Sequence, residues 1–290
     1  MQPVGLVMRT YSNYCDVRSG RCTYRCQVRG RLKLDRQAVL TGDQVVLEFI
    51  GGDRAMVTGI LPRRTALTRP PIANADLAVI VFTAKSPPLN LGLVDRLLIL
   101  ARSEGLATLL CLNKTDLAEP HELALVERHY GQTGYELVQT SAKHGHNLGT
   151  LVERLQGRTA VLAGQSGVGK STLLNAISPG TCLEVGELSP KVQRGRHTTR
   201  GVRLIPVGDG LVADTPGFVA LELPQLEPRD LAGLYPEMAQ HRSDCRFPDC
   251  IHDPEPGCAV KDAVERGEID SGRYRRYLEF LHELQARRKY

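Results

Sequence analysis

Residues 161–173 read VLAGQSGVGKSTL, and positions 164–171 match the phosphate-loop pattern G-x-x-x-x-G-K-[ST]. The apolar run before the loop predicts a buried strand, and the run STLLNAI after its lysine predicts a helix. In that setting the glycines let backbone N–H groups surround phosphates, Lys170 reaches the β and γ oxygens, and the Ser171 hydroxyl can bind Mg²⁺. The loop residues expected to bind a nucleotide are Gly164, Gln165, Ser166, Gly167, Val168, Gly169, Lys170, Ser171 and Thr172.

The phosphate loop does not choose between ATP and GTP, but the upstream stretch LLCLNKTDLA at 109–118 favours GTP. An aspartate at the end of a strand, here Asp116, can accept from the N1–H and 2-amino groups of guanine, which adenine does not present. Asn113 is expected to brace the loops, and Lys114 to lie along the base beside Thr115. Taken alone, NKTD is also compatible with an ordinary strand-to-helix turn.

Three further motifs fit the same site. SAK at 141–143 follows a predicted strand, and the Ala142 N–H could meet guanine O6, with Ser141 and Lys143 beside it. Downstream of the phosphate loop, GRHTTR places Thr198 and Thr199 where a hydroxyl could bind Mg²⁺. In DTPG at 214–217, Asp214 would act through a Mg²⁺-bound water and the Gly217 N–H would sense the γ-phosphate.

These motifs occur in a cyclic shift of the Ras-like order, because the base reader precedes the phosphate loop by 51 residues. A circular permutation keeps every strand and loop of a site in place if the original ends lay close together. The alternation of short apolar runs with helix-length stretches from residue 72 predicts a mostly parallel sheet with helices on both faces. The expected fold is therefore a circularly permuted α/β P-loop GTPase domain.

The position after the DTPG glycine holds Phe218, where Ras-like enzymes carry a glutamine that positions water. Three explanations stay open: another group positions the water, a partner completes the site, or hydrolysis is slow. We nominate His197 as the catalytic replacement, although a histidine in a basic segment is often simply exposed.

Residues 4–60 differ from this central region, because short β-branched runs alternate with turns such as RSG and GGD. They predict an all-β barrel of the OB-fold type. Residues 1–70 contain 12 Lys/Arg and 5 Asp/Glu, a net charge of +7, whereas 220–290 contain 11 and 14. An RNA-binding barrel and a merely solvated basic face both fit this charge. The predicted domains are 1–65, 66–222 and 223–290.

The last region carries DCRFPDCIHDPEPGC, three thiols and an imidazole within 14 residues. Sulfur and nitrogen ligands favour tetrahedral Zn²⁺, and four protein ligands indicate a structural site. The predicted ligands are Cys245, Cys250, His252 and Cys258. The strand cysteines Cys15, Cys22 and Cys26 are interpreted as core thiols. A largely helical domain ending in an amphipathic helix is expected around the cluster, with Tyr274, Tyr277, Leu278, Leu281 and Leu284 on one face.

Composition limits the function classes. With 42% hydrophobic and 24% charged residues the chain can bury an ordinary core. No apolar run approaches the roughly 18 residues of a membrane helix, and the N-terminal residues lack a secretory pattern. We expect a cytoplasmic monomer without membrane or DNA partners.

Together, these motifs resemble the circularly permuted small-ribosomal-subunit biogenesis GTPases of the RsgA (YjeQ) family. The resemblance spans nearly the whole chain and includes RGRL at 29–32, GD at 42–43 and ILPRR at 60–64. It implies a barrel, a permuted GTPase domain and a zinc domain that dock on the 30S subunit and its 16S rRNA. It further implies 30S-stimulated hydrolysis of GTP to GDP during late maturation, with release of assembly factors. The family pattern favours Thr199 over Thr198 as the Mg²⁺ ligand, and it agrees with Phe218.

Two other functions are compatible with parts of the sequence. One is a non-enzymatic rRNA-binding factor that GTP merely switches. The other is a permuted GTPase of large-subunit assembly, which is not expected to combine this barrel with this cysteine cluster.

Overall fold

The computed structural model describes residues 2–12, 14–29, 38–178, 180, 202–218 and 222–287. The strands are β1 (Val4–Thr10), β2 (Tyr14–Ser19), β3 (Cys22–Val28), β4 (Gln44–Gly51), β5 (Arg54–Ile60), β6 (Ala66–Leu67), β7 (Ile72–Ala73), β8 (Leu77–Phe82), β9 (Ala107–Leu112), β10 (Glu136–Gln139), β11 (Thr159–Ala163), β12 (Arg203–Val207) and β13 (Gly210–Phe218). The helices are α1 (Leu91–Ser103), α2 (Pro120–Tyr130), α3 (Leu148–Leu155), α4 (Lys170–Ile177), α5 (Pro236–Ala239), α6 (Ala259–Glu265) and α7 (Ser271–Arg287). Among the described residues, none of these helices is long and apolar enough to cross a membrane.

Strands β1 to β5 form a closed barrel. Its strand order is β1-β2-β3-β5-β4, and β4 returns to pair with β1. Strands β3 and β5 are parallel, while the other neighbours are antiparallel. Every second side chain points inward, so the barrel core consists of small and β-branched residues: Val7, Cys15, Val17, Cys26, Val45, Leu47, Ala55 and Val57. The predicted OB-type barrel is confirmed, and Cys15 and Cys26 are core thiols. Cys22 is exposed at the start of β3, so its interpretation as a core thiol was wrong.

A buried ion pair holds the loop between β3 and β4 against the segment after β5. The Arg63 guanidinium donates to both carboxylate oxygens of Asp43, at 2.7 and 2.8 Å, and Asp43 is fully buried. Beside it Gly42 has φ +91°, and a Cβ there would lie 2.0 Å from the Ala73 carbonyl oxygen. GD at 42–43 and ILPRR at 60–64 are therefore the two halves of one buried junction.

The chain packs as two compact units, each built from separate segments. The first comprises Met1–Ala78, Leu148–Leu162 and Ser171–Phe218, and the second comprises Val79–Asn147, Ala163–Lys170 and Val219–Tyr290. In the first unit, the strand order continues from the barrel as β1-β12-β13-β11. In the second, β9 lies between β8 and β10, and β9 and β10 are parallel.

The strands that carry the motif loops are almost entirely apolar. All six residues of β8 are buried, as are the last four of β9 and of β11. Such continuous burial is typical of strands covered on both faces. Helix α2 begins after a capping box formed by Glu119 and Glu122, with Pro120 at its first position, and this fixes where the base-reading loop ends.

The C-terminal region is a small helical assembly in the second unit. Its apolar cluster includes Tyr235, Met238, Val260, Tyr277 and Leu281. The amphipathic helix predicted there is α7. Its buried residues are Arg273, Tyr277, Phe280, Leu281 and Leu284. Tyr274 and Leu278, predicted on the same face, are only partly buried, because the buried stripe turns toward Arg273.

Candidate nucleotide site and metal cluster

The phosphate loop joins the end of β11 to the start of α4. Strand β11 ends at Ala163 and α4 begins at Lys170, so the first N–H groups of a helix face the loop. The Lys170 ammonium donates to the carbonyl oxygens of Gly164 and Gln165, at 2.7 and 2.9 Å. Burial lowers the pKa of Lys170. A phosphate that accepted from this ammonium would replace the two carbonyl acceptors and favour the charged form.

Two glycines of the loop occupy positions that no other residue could take without movement. Gly164 has φ +145°, and a Cβ there would lie 2.1 Å from the Val81 carbonyl oxygen. Gly169 has φ +94°, and its Cβ would lie 2.6 Å from Asn113 Nδ2. The loop is therefore packed against the end of β8 and against the base-reading motif.

Asn113 joins three loops through its buried amide. Its Nδ2 donates to the Val168 carbonyl oxygen of the phosphate loop at 2.9 Å. Its Oδ1 accepts from Thr140 Oγ1 at 3.2 Å and from the Ala142 N–H at 3.1 Å. Only 1% of Asn113 is exposed, so its amide bonds to these loops rather than to water. The structure thus brings NKTD, SAK and the phosphate loop together.

The other residues of the base-reading motif also face this site. Lys114 adopts a left-handed backbone, with φ 61°, and its Nζ donates to the Gly167 carbonyl oxygen at 2.7 Å. The Ser141 hydroxyl donates to Asp116 Oδ1 at 2.6 Å, and this bond lowers the pKa of Asp116. His144 Nε2 lies 3.5 Å from Asp116 Oδ2. Asp116 is thereby held as an ionised acceptor, which reading a guanine edge requires.

Some predicted contacts have competitors. The Ala142 N–H already bonds to Asn113, so a guanine O6 would have to share this donor. Thr115 uses its hydroxyl on the Thr140 carbonyl oxygen, at 3.0 Å, and therefore acts within the loop. Ser166 and Lys143 are exposed.

The predicted Mg²⁺ and switch residues are only partly described. Ser171 is exposed in the first turn of α4, followed by half-buried Thr172. Asp214 lies in β13, opposite Arg203, and burial raises its pKa against the opposing charges of Arg203 and Arg9. The backbone of Gly217 and Phe218 continues the strand. His197, Thr198 and Thr199 lie outside the described residues.

The four predicted metal ligands converge on one point. Ligand atoms of Cys245, Cys250, His252 and Cys258 all lie within 4.8 Å of one another. His252 Nδ1 is 3.5, 3.4 and 3.3 Å from the three sulfurs, in chain order. A tetrahedral site with metal–sulfur bonds of about 2.3 Å and metal–nitrogen bonds of about 2.0 Å has nitrogen–sulfur edges of about 3.5 Å. We call these four residues the Cys3His cluster; they could hold one metal ion.

The surroundings of the Cys3His cluster fix its shape. Burial raises the pKa of Cys250 to about 12 and lowers that of His252 to about 4. A neutral imidazole is ready to bind a metal, whereas the thiols must release protons as they bind. Tyr274 and Tyr277 of α7 donate to the carbonyl oxygens of His252 and Ile251, each at 2.6 Å.

Sequence reasoning missed two parts of this arrangement. Thr140, buried behind SAK, bonds to Asn113, but a threonine at a strand end gives no distinctive signal. In the C-terminal region a buried charge cluster surrounds Arg273, which bonds to Asp95 at 2.5 Å and to Glu237. Its partners are 178 and 36 residues away, so no local pattern could reveal it.

Comparisons with known proteins identify the family. The family model for the RsgA N-terminal domain matches residues 4–57, and that for the RsgA GTPase matches residues 60–224. A relative named small ribosomal subunit biogenesis GTPase RsgA, from Shouchella clausii (strain KSM-K16), is 43% identical over 290 residues and 99% of each chain. One of the same name from Carboxydothermus hydrogenoformans (strain ATCC BAA-161 / DSM 6008 / Z-2901) is 42% identical over 283 residues and 97% of each chain.

Two solved structures resemble the whole chain. YjeQ from Thermotoga maritima has a TM-score of 0.87 at 35% identity, covering 98% of this chain and 99% of its own. YloQ, described as a circularly permuted GTPase, has a TM-score of 0.85 at 35% identity, covering 99% and 96%. The predicted fold class is confirmed: a permuted P-loop GTPase domain, an OB-type barrel and a helical C-terminal region with a Cys/His cluster. The chain belongs to the RsgA GTPase family and is a P-loop GTP hydrolase.

Proposed function

We propose that this protein acts in late maturation of the small ribosomal subunit, where it binds 16S rRNA and hydrolyses GTP to GDP and phosphate. The 30S particle stimulates the reaction, and hydrolysis promotes the release of assembly factors. The names of the relatives support a role in biogenesis of the small subunit. Because the proposed partner is a ribosomal particle, we place the protein in the cytoplasm. We further propose that it is a monomer without DNA or membrane partners.

The observation that carries the GTP assignment is the Asn113 amide, which ties the base-reading loop to the phosphate loop and to SAK. A single nucleotide can therefore touch all three segments. In this proposal Asp116 accepts from guanine N1–H and the 2-amino group, Lys114 lies along the base, and the Ala142 N–H is shared with O6. Ser141 keeps the carboxylate oriented, and Lys143 adds positive charge beside it.

The phosphate end is assigned by the same reasoning. The backbone of 164–169 surrounds the phosphates, and Lys170 turns from its loop carbonyls to the β and γ oxygens. Ser171 and Thr199 would hold Mg²⁺, with Asp214 acting through a bound water and the Gly217 N–H facing the γ-phosphate. The ion neutralises the charge that develops on the phosphates. His197 is proposed to position the attacking water, since Phe218 cannot.

Zn²⁺ is the proposed occupant of the Cys3His cluster. Three thiolates and one imidazole suit its preference for soft ligands and a tetrahedral site. Four protein ligands leave no open position, so the ion would be structural. It would join the 245–258 segment to α6, whose first turn follows Cys258.

The test is turnover of GTP and of ATP, each measured alone, with 30S particles and with 50S particles. We expect GTP hydrolysis to be slow alone and accelerated only by 30S, and ATP to be ignored. A Lys170→Ala variant that binds the particle but does not turn over controls for contaminating hydrolases.

The same assay decides the alternatives. If 30S particles do not accelerate hydrolysis but still bind the protein in a nucleotide-dependent way, the result would favour an RNA-binding factor that GTP merely switches. Phe218 is compatible with that alternative as well. Acceleration by 50S would favour large-subunit assembly. Equal use of ATP would refute the proposal that Asp116 reads guanine. Full stimulation of a His197→Ala variant by 30S would refute the proposal that His197 positions the attacking water.

A further inference from the structure

The loop that follows β10 is closed by two backbone hydrogen bonds. The Ser141 N–H donates to the His146 carbonyl oxygen at 3.2 Å, and the His146 N–H donates to the Ser141 carbonyl oxygen at 3.1 Å. Inside the loop, the His144 N–H donates to Ser141 Oγ at 3.4 Å. Gly145 completes the turn with φ +70°. This closure fixes the point from which the His144 side chain starts.

The 141–146 loop reaches both oxygens of the Asp116 carboxylate. The Ser141 hydroxyl donates to Oδ1 at 2.6 Å. His144 Nε2 lies 3.5 Å from Oδ2, which is an ion-pair distance and longer than an ordinary hydrogen bond. The accessible fraction of the side chain is 57% for His144 and 20% for Asp116. The imidazole therefore covers the second oxygen, and more than half of its surface is in solvent, so it can turn away.

Guanine and a protonated His144 require the same acceptor. In the proposed site the Asp116 carboxylate accepts from guanine N1–H and from the 2-amino group, so the base directs two donors at it. An imidazolium directs a further donor and a full positive charge at the same group. The two partners share one negative charge, and their positive edges repel each other at close range. Guanine is therefore held less tightly while His144 is charged.

Histidine is the side chain here whose charge depends on pH near neutrality. Among the described residues, the charged side chains that act on the Asp116 carboxylate are His144 and Lys143, both from the 141–146 loop. Of these two residue types, histidine is the one that ordinarily gains or loses its charge between pH 5 and 8. The competition at Asp116 Oδ2 is therefore strongest in mild acid and absent in mild alkali.

We propose that His144 competes with guanine for Asp116 Oδ2, so that the protein holds guanine nucleotides more weakly when His144 is protonated. The inference rests on the proposed function, in which Asp116 reads guanine, and it adds a residue beyond the SAK motif that sets the affinity. By linkage, nucleotide binding expels the proton of His144 to the solvent, and nucleotide release takes one up. Nucleotide exchange becomes easier as the pH falls through the range in which histidine titrates.

Two variants at position 144 separate charge from shape. His144→Gln removes the charge and keeps a polar side chain, whereas His144→Arg carries a charge at every pH used. The matched control is His121→Gln, which removes another exposed histidine at the start of α2. The dissociation constant of GDP with Mg²⁺ is measured by titration calorimetry at pH 6 and at pH 8. Since a terminal phosphate also titrates near pH 6, each variant is compared with the wild type at the same pH.

The expected effect is small and has a definite sign. An exposed ion pair of this kind corresponds to a change in affinity of at most about fivefold. His144→Gln should bind GDP about threefold more tightly than the wild type at pH 6 and equally at pH 8. His144→Arg should bind about threefold more weakly than His144→Gln at both pH values. His121→Gln should match the wild type throughout.

Proton release provides a second readout. Calorimetry in two buffers with different enthalpies of ionisation counts the protons that leave on binding. Near pH 6.5 the wild type should release about 0.3 more protons per GDP than His144→Gln, which is what a threefold linkage allows. The phosphate contributes equally in both proteins and cancels in the difference.

The proposal is overturned if the ratio of the wild-type and His144→Gln dissociation constants is the same at both pH values, or if the two proteins release equal numbers of protons. Weaker GDP binding by His144→Gln at pH 6 also overturns it, because His144 would then support Asp116. A wild-type protein that binds ADP as tightly as GDP would refute a different claim, the proposed reading of guanine by Asp116.

Discussion

Arg273 should be the most costly single charge to remove from the C-terminal region. It is 1% exposed, and its guanidinium bonds to Asp95 and Glu237, which are themselves 0% and 2% exposed. Three tyrosine rings lie 4.7 to 5.4 Å from it: Tyr130, Tyr135 and Tyr235. In Arg273→Met the stem still packs, but Glu237 loses its charged partner.

The size of the effect follows from which charges stay paired. Asp95 keeps Arg276 and the Tyr130 hydroxyl, at 2.5 and 2.8 Å, so it remains compensated. Glu237 does not, since its second oxygen has no hydrogen-bond partner among the described residues. Breaking one side of a buried pair costs about 3 to 5 kcal/mol. Adding Glu237→Gln to Arg273→Met should recover at least about 1 kcal/mol, because it removes the stranded charge.

Hydrogen exchange of the α7 amides is the suitable assay, because it reads this region separately in a multidomain chain. The expected loss corresponds to exchange faster by roughly two to three and a half orders of magnitude. Arg275→Met is the matched control, on the exposed side of the same helix. Equal exchange in the two methionine variants, or no recovery in the double variant, would refute the reasoning.

Three other changes test other parts of the molecule. Gly164→Ala should abolish nucleotide binding in equilibrium dialysis, because its Cβ would lie 2.1 Å from the Val81 carbonyl oxygen; Gly105→Ala, with open space around it, separates this clash from a simple left-handed backbone cost. Glu283→Gln should destabilise α7 by about 1 kcal/mol at pH 7 and by clearly less near pH 3. The Arg96 hydrogen bond lowers the pKa of Glu283, so this stability is present above the unfolded-state pKa and lost as pH falls through the folded one; equal losses at both pH values would contradict it. Metal removal by a chelator should release about one equivalent of zinc and unprotect α6, whereas less than about half an equivalent in fresh protein would exclude a resident structural ion.

The nucleotide site could be predicted where chemistry is tied to spacing. A phosphate loop needs glycine where its backbone passes close to a neighbouring strand, as Gly164 does at β8. The glycine pattern that meets this need is visible in the local sequence. The bracing role of Asn113 was predicted in the same way. The Cys3His cluster also follows from four ligands within 14 residues, because the short chain between them must bring the atoms close.

Other features depend on residues that are distant in the chain. The arginines of GRYRRYLEF look like a solvated face, yet Arg273 is buried because Asp95 and Glu237 reach it from other helices. The alignment of Arg203, Arg9, Asp16, Arg25 and Arg54 is likewise invisible in sequence, since it depends on the register of the strands that carry them. Pairing across a sheet is decided by tertiary packing, which local periodicity does not encode.

The amide of Asn113 has a consequence for the order in which the protein matures during its own translation. Its partner Val168 comes 55 residues later. At a synthesis rate of about 5 to 20 residues per second, the proposed guanine-reading loop is made roughly 3 to 11 seconds before Val168, to which it bonds. In the Ras-like order the phosphate loop would be synthesised before the base-reading loop. In the permuted chain the Asn113 amide therefore gains this partner only after the phosphate loop has been synthesised.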